Sequence, residues 1–336
     1  MGERRNRQPA VSESHDQFGR RIEYLRISVT DKCNFRCVYC MPNEGLQWLP
    51  KSEILSYEEI AEIVAQLAPE GISRLRISGG EPTIRPDLAK LITMLRRIDG
   101  IEDIALSTNG VRLPELAFEL QQAGLDRVNM SADSLHTDRI AAIARRNLRF
   151  DPIKSALAAE RAGLSPVKIN VVVMRGINDD EILDFARLTM DHPWHVRFIE
   201  LMPVGELASL TWDHVVPSDE ILSRLSDLGA LSPDEGPPCG NGPAQYFRFD
   251  GAPGSVGVIT PMTHTYCASC NRVRLTADGR LRTCLFGDHE VDLRAPLRAG
   301  IPLGPLFAQA LAAKPLEHHL IQMQTGGLKA LSQVGG

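Results

Sequence analysis

The sequence predicts an α/β fold in which repeated parallel βα units are followed by a smaller α+β unit. Three observations carry this. From about residue 22 to 227, short apolar or β-branched runs alternate with amphipathic stretches of helical period. Polar and glycine residues follow the apolar runs. After residue 232 the alternation gives way to a Gly/Pro-rich segment and then to closely spaced strand patterns.

The first strand is expected over residues 25–29, closed by Thr30–Asp31, with a helix over 57–68. A strand over 74–78 ends in Gly79–Gly80–Glu81 and leads to a helix over 87–98. The third and fourth strands, 103–107 and 127–131, end in Thr108–Asn109–Gly110 and Asp133–Ser134, with a helix over 114–123 between them. Helices over 152–162, 179–190 and 218–227 accompany strands over 168–173 and 196–201. Several of these helices open on Ser, Asp or Pro, as helix starts prefer. Six βα units of this kind fit an incomplete (β/α)6 barrel of the TIM type, and they fit a flavodoxin-like open sheet equally well. Either way, ligands are expected where the strand C-termini open into loops.

Residues 1–20 read as a disordered N-terminal tail, 21–232 as the βα domain, and 233–336 as a C-terminal domain. The segment from Ser232 to Pro243 reads as a linker. Strand runs follow over 246–249, 255–260 and 273–276, and Ala277–Asp278–Gly279 is a hairpin turn leading to a strand over 280–285. The closing Gly335–Gly336 is flexible by composition.

The chain has 336 residues, 43% hydrophobic and 24% charged, and a formal net charge of −5. That balance argues against nucleic acid as a partner, because the phosphate attraction of a basic surface is missing. No run approaches the roughly 18 unbroken apolar residues of a membrane span. Arg4, Arg5 and Arg7 lack the apolar segment of a targeting signal, so a cytoplasmic location is expected.

Seven cysteines without a secretion signal point to metal binding or catalysis rather than disulfides. Cys33, Cys37 and Cys40 share one loop directly after the first strand. Thiolates are the soft ligands of iron–sulfur clusters, and three of them leave one iron of a cubane open for a further ligand. A zinc site completed by a distant residue fits the ligand chemistry as well. Cys267, Cys270 and Cys284 form a second trio, for which zinc with His264, His289 or Cys239 is the alternative to a second cluster. Cys239 otherwise stands alone.

In the segment Cys270-Asn-Arg272-Val-Arg274, strand alternation puts Cys270 and both arginines on one face. Paired guanidiniums suit a polyphosphate. Arg26, Arg76, Lys168 and Arg197, each on a different strand, add positive charge toward the same space. Such convergence in a mildly acidic chain implies an anionic substrate.

Cys33-x3-Cys37-x2-Cys40, with Tyr39 before the last cysteine, and Gly79-Gly80-Glu81-Pro82 one strand later resemble the signature of radical S-adenosylmethionine (SAM) enzymes. Together with the segments from Leu25 to Pro42, Arg76 to Pro82, Val167 to Asn170, Arg197 to Pro203 and Cys267 to Leu275, and the Gly335–Gly336 end, the sequence resembles the GTP 3′,8-cyclases, the A protein family of molybdenum cofactor biosynthesis. The match runs from about Leu25 to the C-terminus.

The resemblance implies a partial barrel of six βα units closed by a C-terminal segment with a second 4Fe–4S cluster facing the guanine of GTP. It also implies SAM cleavage to a 5′-deoxyadenosyl radical, which takes hydrogen from ribose C3′. Closure of C3′ onto C8 then gives (8S)-3′,8-cyclo-7,8-dihydroguanosine 5′-triphosphate. Carried over by position, Cys33, Cys37 and Cys40 hold the first cluster and Cys267, Cys270 and Cys284 the second. Arg26 is carried over as catalytic together with the first cysteine trio. Tyr39, Gly80, Ser131 and Met202 are implied SAM contacts. Arg26, Arg76, Ser107, Lys168, Arg197, Arg272, Val273 through its backbone, and Arg274 are implied GTP contacts. The partners implied are a downstream cyclic pyranopterin monophosphate synthase, an electron donor the sequence does not identify, and a second copy of the chain in a homodimer. Gly335–Gly336 is implied to reach the active site.

Three features depart from the family pattern. Ser107 stands where the family more often has Thr, Cys239 has no family role, and Arg145–Arg146–Asn147 is irregular. Two other readings are a peptide-modifying radical SAM enzyme with an auxiliary cluster and a zinc-stabilised nucleotide-binding protein.

Overall fold

Alternating apolar residues build the strands β1 (Tyr24–Ser28), β2 (Arg74–Ser78), β3 (Asp103–Thr108), β4 (Arg127–Ser131), β5 (Lys168–Val173) and β6 (His195–Glu200), which pair in parallel in chain order. The computed structural model describes residues 14–203, 210–236, 242–287 and 289–318. Leu25, Ile27, Leu75 and Ile77 turn outward to the helices and are fully buried, whereas Arg26 and Arg76 between them face the interior.

The crossover helices are α1 (Tyr57–Leu67), α2 (Leu88–Arg96), α3 (Leu113–Gln122), α4 (Thr137–Ala144), α5 (Pro152–Arg161), α6 (Ile182–Asp191) and α7 (Ser218–Leu225). Ile60, Ile63, Val64 and Leu67 of α1 recur at helical spacing and are all 0% exposed, so one face of the helix is spent on the sheet. The start of α1 is a capping box, with Glu59 N–H donating to Ser56 Oγ at 3.1 Å and Ser56 N–H to Glu59 Oε2 at 2.8 Å. α5 begins on Pro152 behind Asp151, whose carboxylate accepts from the Ile153 and Lys154 N–H groups.

The remaining strands are β7 (Leu231–Asp234), β8 (Gln245–Phe249), β9 (Ser255–Ile259), β10 (Arg272–Leu275), β11 (Arg280–Arg282) and β12 (Glu290–Asp292). They extend the six-strand sheet at both edges, in the order β12-β11-β10-β1-β2-β3-β4-β5-β6-β9-β8-β7. β10 runs parallel to β1, and β9 runs parallel to β6. The outermost strands, β12 and β7, do not pair with each other, so among the described residues the sheet is a partial barrel rather than a closed one. Helices α8 (Arg294–Arg298) and α9 (Gly304–Ala312) follow.

Several expectations change. Residues 14–20 are structured, not a loose tail: His15 bridges Arg21, and Asp16 and Arg20 form a buried ion pair at 2.5 Å. Residues 231–234, expected in part as linker, form a strand against β8. Its Pro233 is tolerated because the strand lies at the sheet edge, where a missing N–H costs no ladder bond. The strand expected over 280–285 stops at Arg282, where the chain turns away to carry Cys284. The irregular stretch after α4 has a local cause, since Arg145 ends the helix in the left-handed region at φ 48°. Cys239 and Gly335–Gly336 lie outside the described residues.

Candidate active site

The register of the sheet gathers the charged residues. Arg274, Arg26 and Arg76 are direct partners across β10, β1 and β2, so three guanidiniums stand in one row on the inner face. A second row runs Ser131, Asn170, Arg197 and Gly257 across β4, β5, β6 and β9. Lys168 pairs with Asn129 below it. Arg197 is buried and held on both sides, donating to Asn170 Oδ1 at 2.8 Å and Asn129 Oδ1 at 2.7 Å. Arg76 lies over the Tyr24 ring and bonds its hydroxyl, and Arg272 lies 5.0 Å over the Tyr266 ring.

Packing cations together weakens their hold on their protons. Burial and then the Lys168 neighbours Arg197, Arg127 and Arg76 depress its ammonium to about 6. Burial, then Arg272, lowers Arg274 to about 10, and burial with Arg274 and Arg76 lowers Arg26. An anion placed among these groups would relieve their repulsion, so the charge of the inner face suits a polyanionic ligand.

Two adjoining cavities open at the C-terminal ends of the strands. The first, about 160 Å³, is lined by Cys33, Cys37, Cys40, Gly80, Glu81 and Asn109 among others. The second, about 230 Å³, is lined by Arg76, Arg197, Met202, Tyr266, Arg272 and Arg274 among others. Arg26, Tyr39, Ser107, Ser131 and Asp133 line both and form the wall between them.

The loop that carries the first trio is fixed by its neighbours. Glu81, 1% exposed, accepts from Thr83 N–H at 3.0 Å, Thr108 Oγ1 at 2.7 Å and Asn109 N–H at 2.7 Å. Gly80 N–H donates to Thr30 O at 2.7 Å and Glu81 N–H to Lys32 O at 2.8 Å, tying the glycine turn to the cysteine loop. A Cβ on Gly80 would lie 2.1 Å from Lys32 O, and one on Gly79, at φ +150°, 2.4 Å from Thr30 O. The paired glycines therefore admit the backbone of the cysteine loop itself, where the sequence suggested room for a ligand.

The predicted residues are not all equally placed. Met202 lines the second cavity, packed beside Cys284 and Leu285 against Met262 and Phe286, and is absent from the lining of the first. Lys168 is 2% exposed and lines neither cavity. Val273 points its side chain into the hydrophobic core between its two arginines. None of the second trio lines either cavity, although its chain neighbours Tyr266, Arg272 and Leu285 line the second. Asp133 was not singled out by the sequence beyond its place after a strand, yet it lines both cavities and accepts from Tyr39 Oη at 2.7 Å and Val172 N–H at 2.9 Å.

The Radical SAM superfamily profile matches residues 27–189, and the Molybdenum Cofactor Synthesis C profile matches residues 194–320. A GTP 3′,8-cyclase of Moorella thermoacetica is 50% identical over 326 residues, covering 96% of this chain and 99% of that protein. One of Pelotomaculum thermopropionicum is 48% identical over 328 residues, covering 96% and 99%. The chain belongs to the GTP 3′,8-cyclase family. Streptococcus suis SuiB bound to S-adenosylmethionine superposes with a TM-score of 0.62 over 94% of this chain and 72% of that one. At 14% identity that likeness shows a shared fold alone.

GTP 3′,8-cyclases are radical SAM enzymes of molybdenum cofactor synthesis that use SAM and two 4Fe–4S clusters. The cysteines of this cyclase chain suit such clusters in one respect the structure displays directly: each trio has donors aimed at sulfur. Phe35 N–H points at Cys33 Sγ at 3.3 Å. Burial drives the Cys33 thiol up to about 12, so without a bound cation it stays protonated. At Cys270 burial acts the same way but is outweighed by Arg272 and Lys314, which bring the thiol down to about 7. Among the described residues no helix is long and apolar enough to cross a membrane.

Proposed function

We propose that this cyclase converts GTP into (8S)-3′,8-cyclo-7,8-dihydroguanosine 5′-triphosphate, which a cyclic pyranopterin monophosphate synthase then consumes. Cys33, Cys37 and Cys40 would hold a 4Fe–4S cluster, and that group would supply the electron for reductive cleavage of SAM to methionine and a 5′-deoxyadenosyl radical. Transfer of the ribose 3′-hydrogen, bond formation between C3′ and C8, and uptake of one electron and one proton give a product isomeric with GTP.

One observation carries this reading: the two cavities share the wall made by Arg26, Tyr39, Ser107, Ser131 and Asp133. A cosubstrate in the first cavity and a nucleotide in the second would meet across it, as hydrogen transfer requires. The row of Arg274, Arg26 and Arg76, with Arg272 one step along β10, supplies forked donors for the triphosphate. Lys168 adds charge from below, and Val273 offers its backbone between the two arginines. Ser107 keeps a hydroxyl on the wall, within 3.5 Å of Arg76 Nη1. Tyr39, Gly80 and Ser131, on the first cavity, would contact SAM, and Met202, carried over as a SAM contact, lines the second cavity instead. Cys267, Cys270 and Cys284 would hold the second cluster, close in the chain to Tyr266, Arg272 and Leu285 of the second cavity.

The test is anaerobic incubation with 3′-deuterated GTP, SAM and dithionite. The expected outcome is deuterium in 5′-deoxyadenosine and a nucleotide with the mass of unlabelled GTP, about one unit lighter than the deuterated substrate, that elutes apart from GTP. Formation of 5′-deoxyadenosine with GTP left intact would refute the proposal.

A further inference from the structure

Beyond α9 the chain folds back onto the second cysteine trio. Lys314 is 2% exposed. Its Nζ reaches three acceptors: Thr283 O at 2.6 Å, Arg272 O at 2.9 Å and Cys270 Sγ at 3.7 Å. Two carbonyls and a sulfur use all three hydrogens of an ammonium, one more than a neutral amine has. Thr283 directly precedes Cys284, so this single nitrogen fastens the surroundings of two of the three cysteines.

The third cysteine is held by the same stretch of chain. Arg20 Nη1 donates to Cys267 O at 2.7 Å and to Leu316 O at 3.0 Å, and Nη2 donates to Pro315 O at 2.7 Å. Asp16 fixes that guanidinium through Nε at 2.5 Å. Neither Lys314 nor Arg20 lines either cavity, so these contacts serve the cysteines and not a ligand in the cavities.

We propose that residues 314–318, pinned by Arg20, form a strap that holds the second trio in register for its cluster, and that Lys314 raises the reduction potential of that cluster. This rests on the two-cluster reading above. Hydrogen bonds and positive charge at ligand sulfurs favour the form with one more electron, because reduction adds negative charge where the cation already lies. Burial keeps water from screening the effect. Lys314 and Arg20 are positioning residues, acting through the cysteines without touching substrate.

The experiment compares full-length wild type, Lys314→Met, Lys314→Arg and Arg20→Ala after anaerobic reconstitution, by iron content, chelator challenge and dithionite titration followed by electron paramagnetic resonance. Wild type is expected to hold about eight irons. In Lys314→Met the second cluster should become harder to reduce while the first cluster's midpoint stays in place, and Lys314→Arg should restore the wild-type midpoint. Arg20→Ala should keep the midpoint but lose about half its iron to chelator several times faster than wild type. An unchanged midpoint in Lys314→Met refutes the role in potential, and a wild-type chelator rate in Arg20→Ala refutes the strap. Should Lys314→Met also lose its first-cluster signal through general unfolding, the Lys314→Arg midpoint and the Arg20→Ala rate decide. A wild-type count of about four irons would overturn the two-cluster reading itself.

Discussion

Tyr39 donates its hydroxyl to Asp133 at 2.7 Å, joining the first cysteine loop to the loop after β4 at the wall between the cavities. Removing one donor from a buried carboxylate costs about 1–3 kcal/mol. Tyr39→Phe is therefore expected to lower the melting temperature and slow 5′-deoxyadenosine formation. A melting curve superimposable on wild type would show that the bond carries none of this.

Lys168 predicts a proton inventory. Its ammonium is held near 6, mainly by burial and then by Arg197, Arg127 and Arg76, so above that pH the empty site carries it neutral. A triphosphate bound beside Lys168 would raise this value again, so complex formation should take up a proton at pH 7.5 and weaken as pH rises further. Calorimetry in two buffers of different ionisation enthalpy measures the uptake, which should vanish in Lys168→Met.

Arg272→Ala or Arg274→Ala should weaken GTP binding by about tenfold or more, the worth of a charge-assisted hydrogen bond. SAM cleavage should remain possible, because the first cysteine loop is untouched. Equal GTP affinity in both variants, by calorimetry, would move the triphosphate elsewhere.

The residues that read most directly from sequence were those whose periodicity does physical work. Leu25, Ile27, Leu75 and Ile77 must face the helices, so Arg26 and Arg76 had to face inward, and the register then made neighbours of them. Both cysteine trios were visible as spacing. Lys314 and Arg20 were not, since their partners are backbone carbonyls and sulfurs more than thirty residues away in most cases, and no local pattern records them. The strand at Leu231–Asp234 was hidden by its proline, whose exclusion from sheets does not extend to an edge. Asp133 gave only the signal of a polar residue after a strand.

Gly80→Ala tests the reading of the glycine turn. The added methyl would lie 2.1 Å from Lys32 O, so the cysteine loop has to move. The variant should lose roughly half of its iron although no cluster ligand is altered. Full iron content would mean that the loop yields without harm.

Single-residue substitution of Cys33, Cys37 or Cys40 by Ser should abolish 5′-deoxyadenosine while leaving roughly four irons bound by the second trio. Measurable turnover in any of the three would contradict the radical route.

The parallel pairing of β1 with β10 sets a timetable for biogenesis. The strand that leads into Cys33 gains its second neighbour only after roughly 250 further residues have been made, on the order of ten seconds to a minute of translation. Until then one edge of the nascent sheet stays unpaired, a state prone to wrong partners. Truncations that omit β10 should therefore aggregate instead of yielding a half-enzyme.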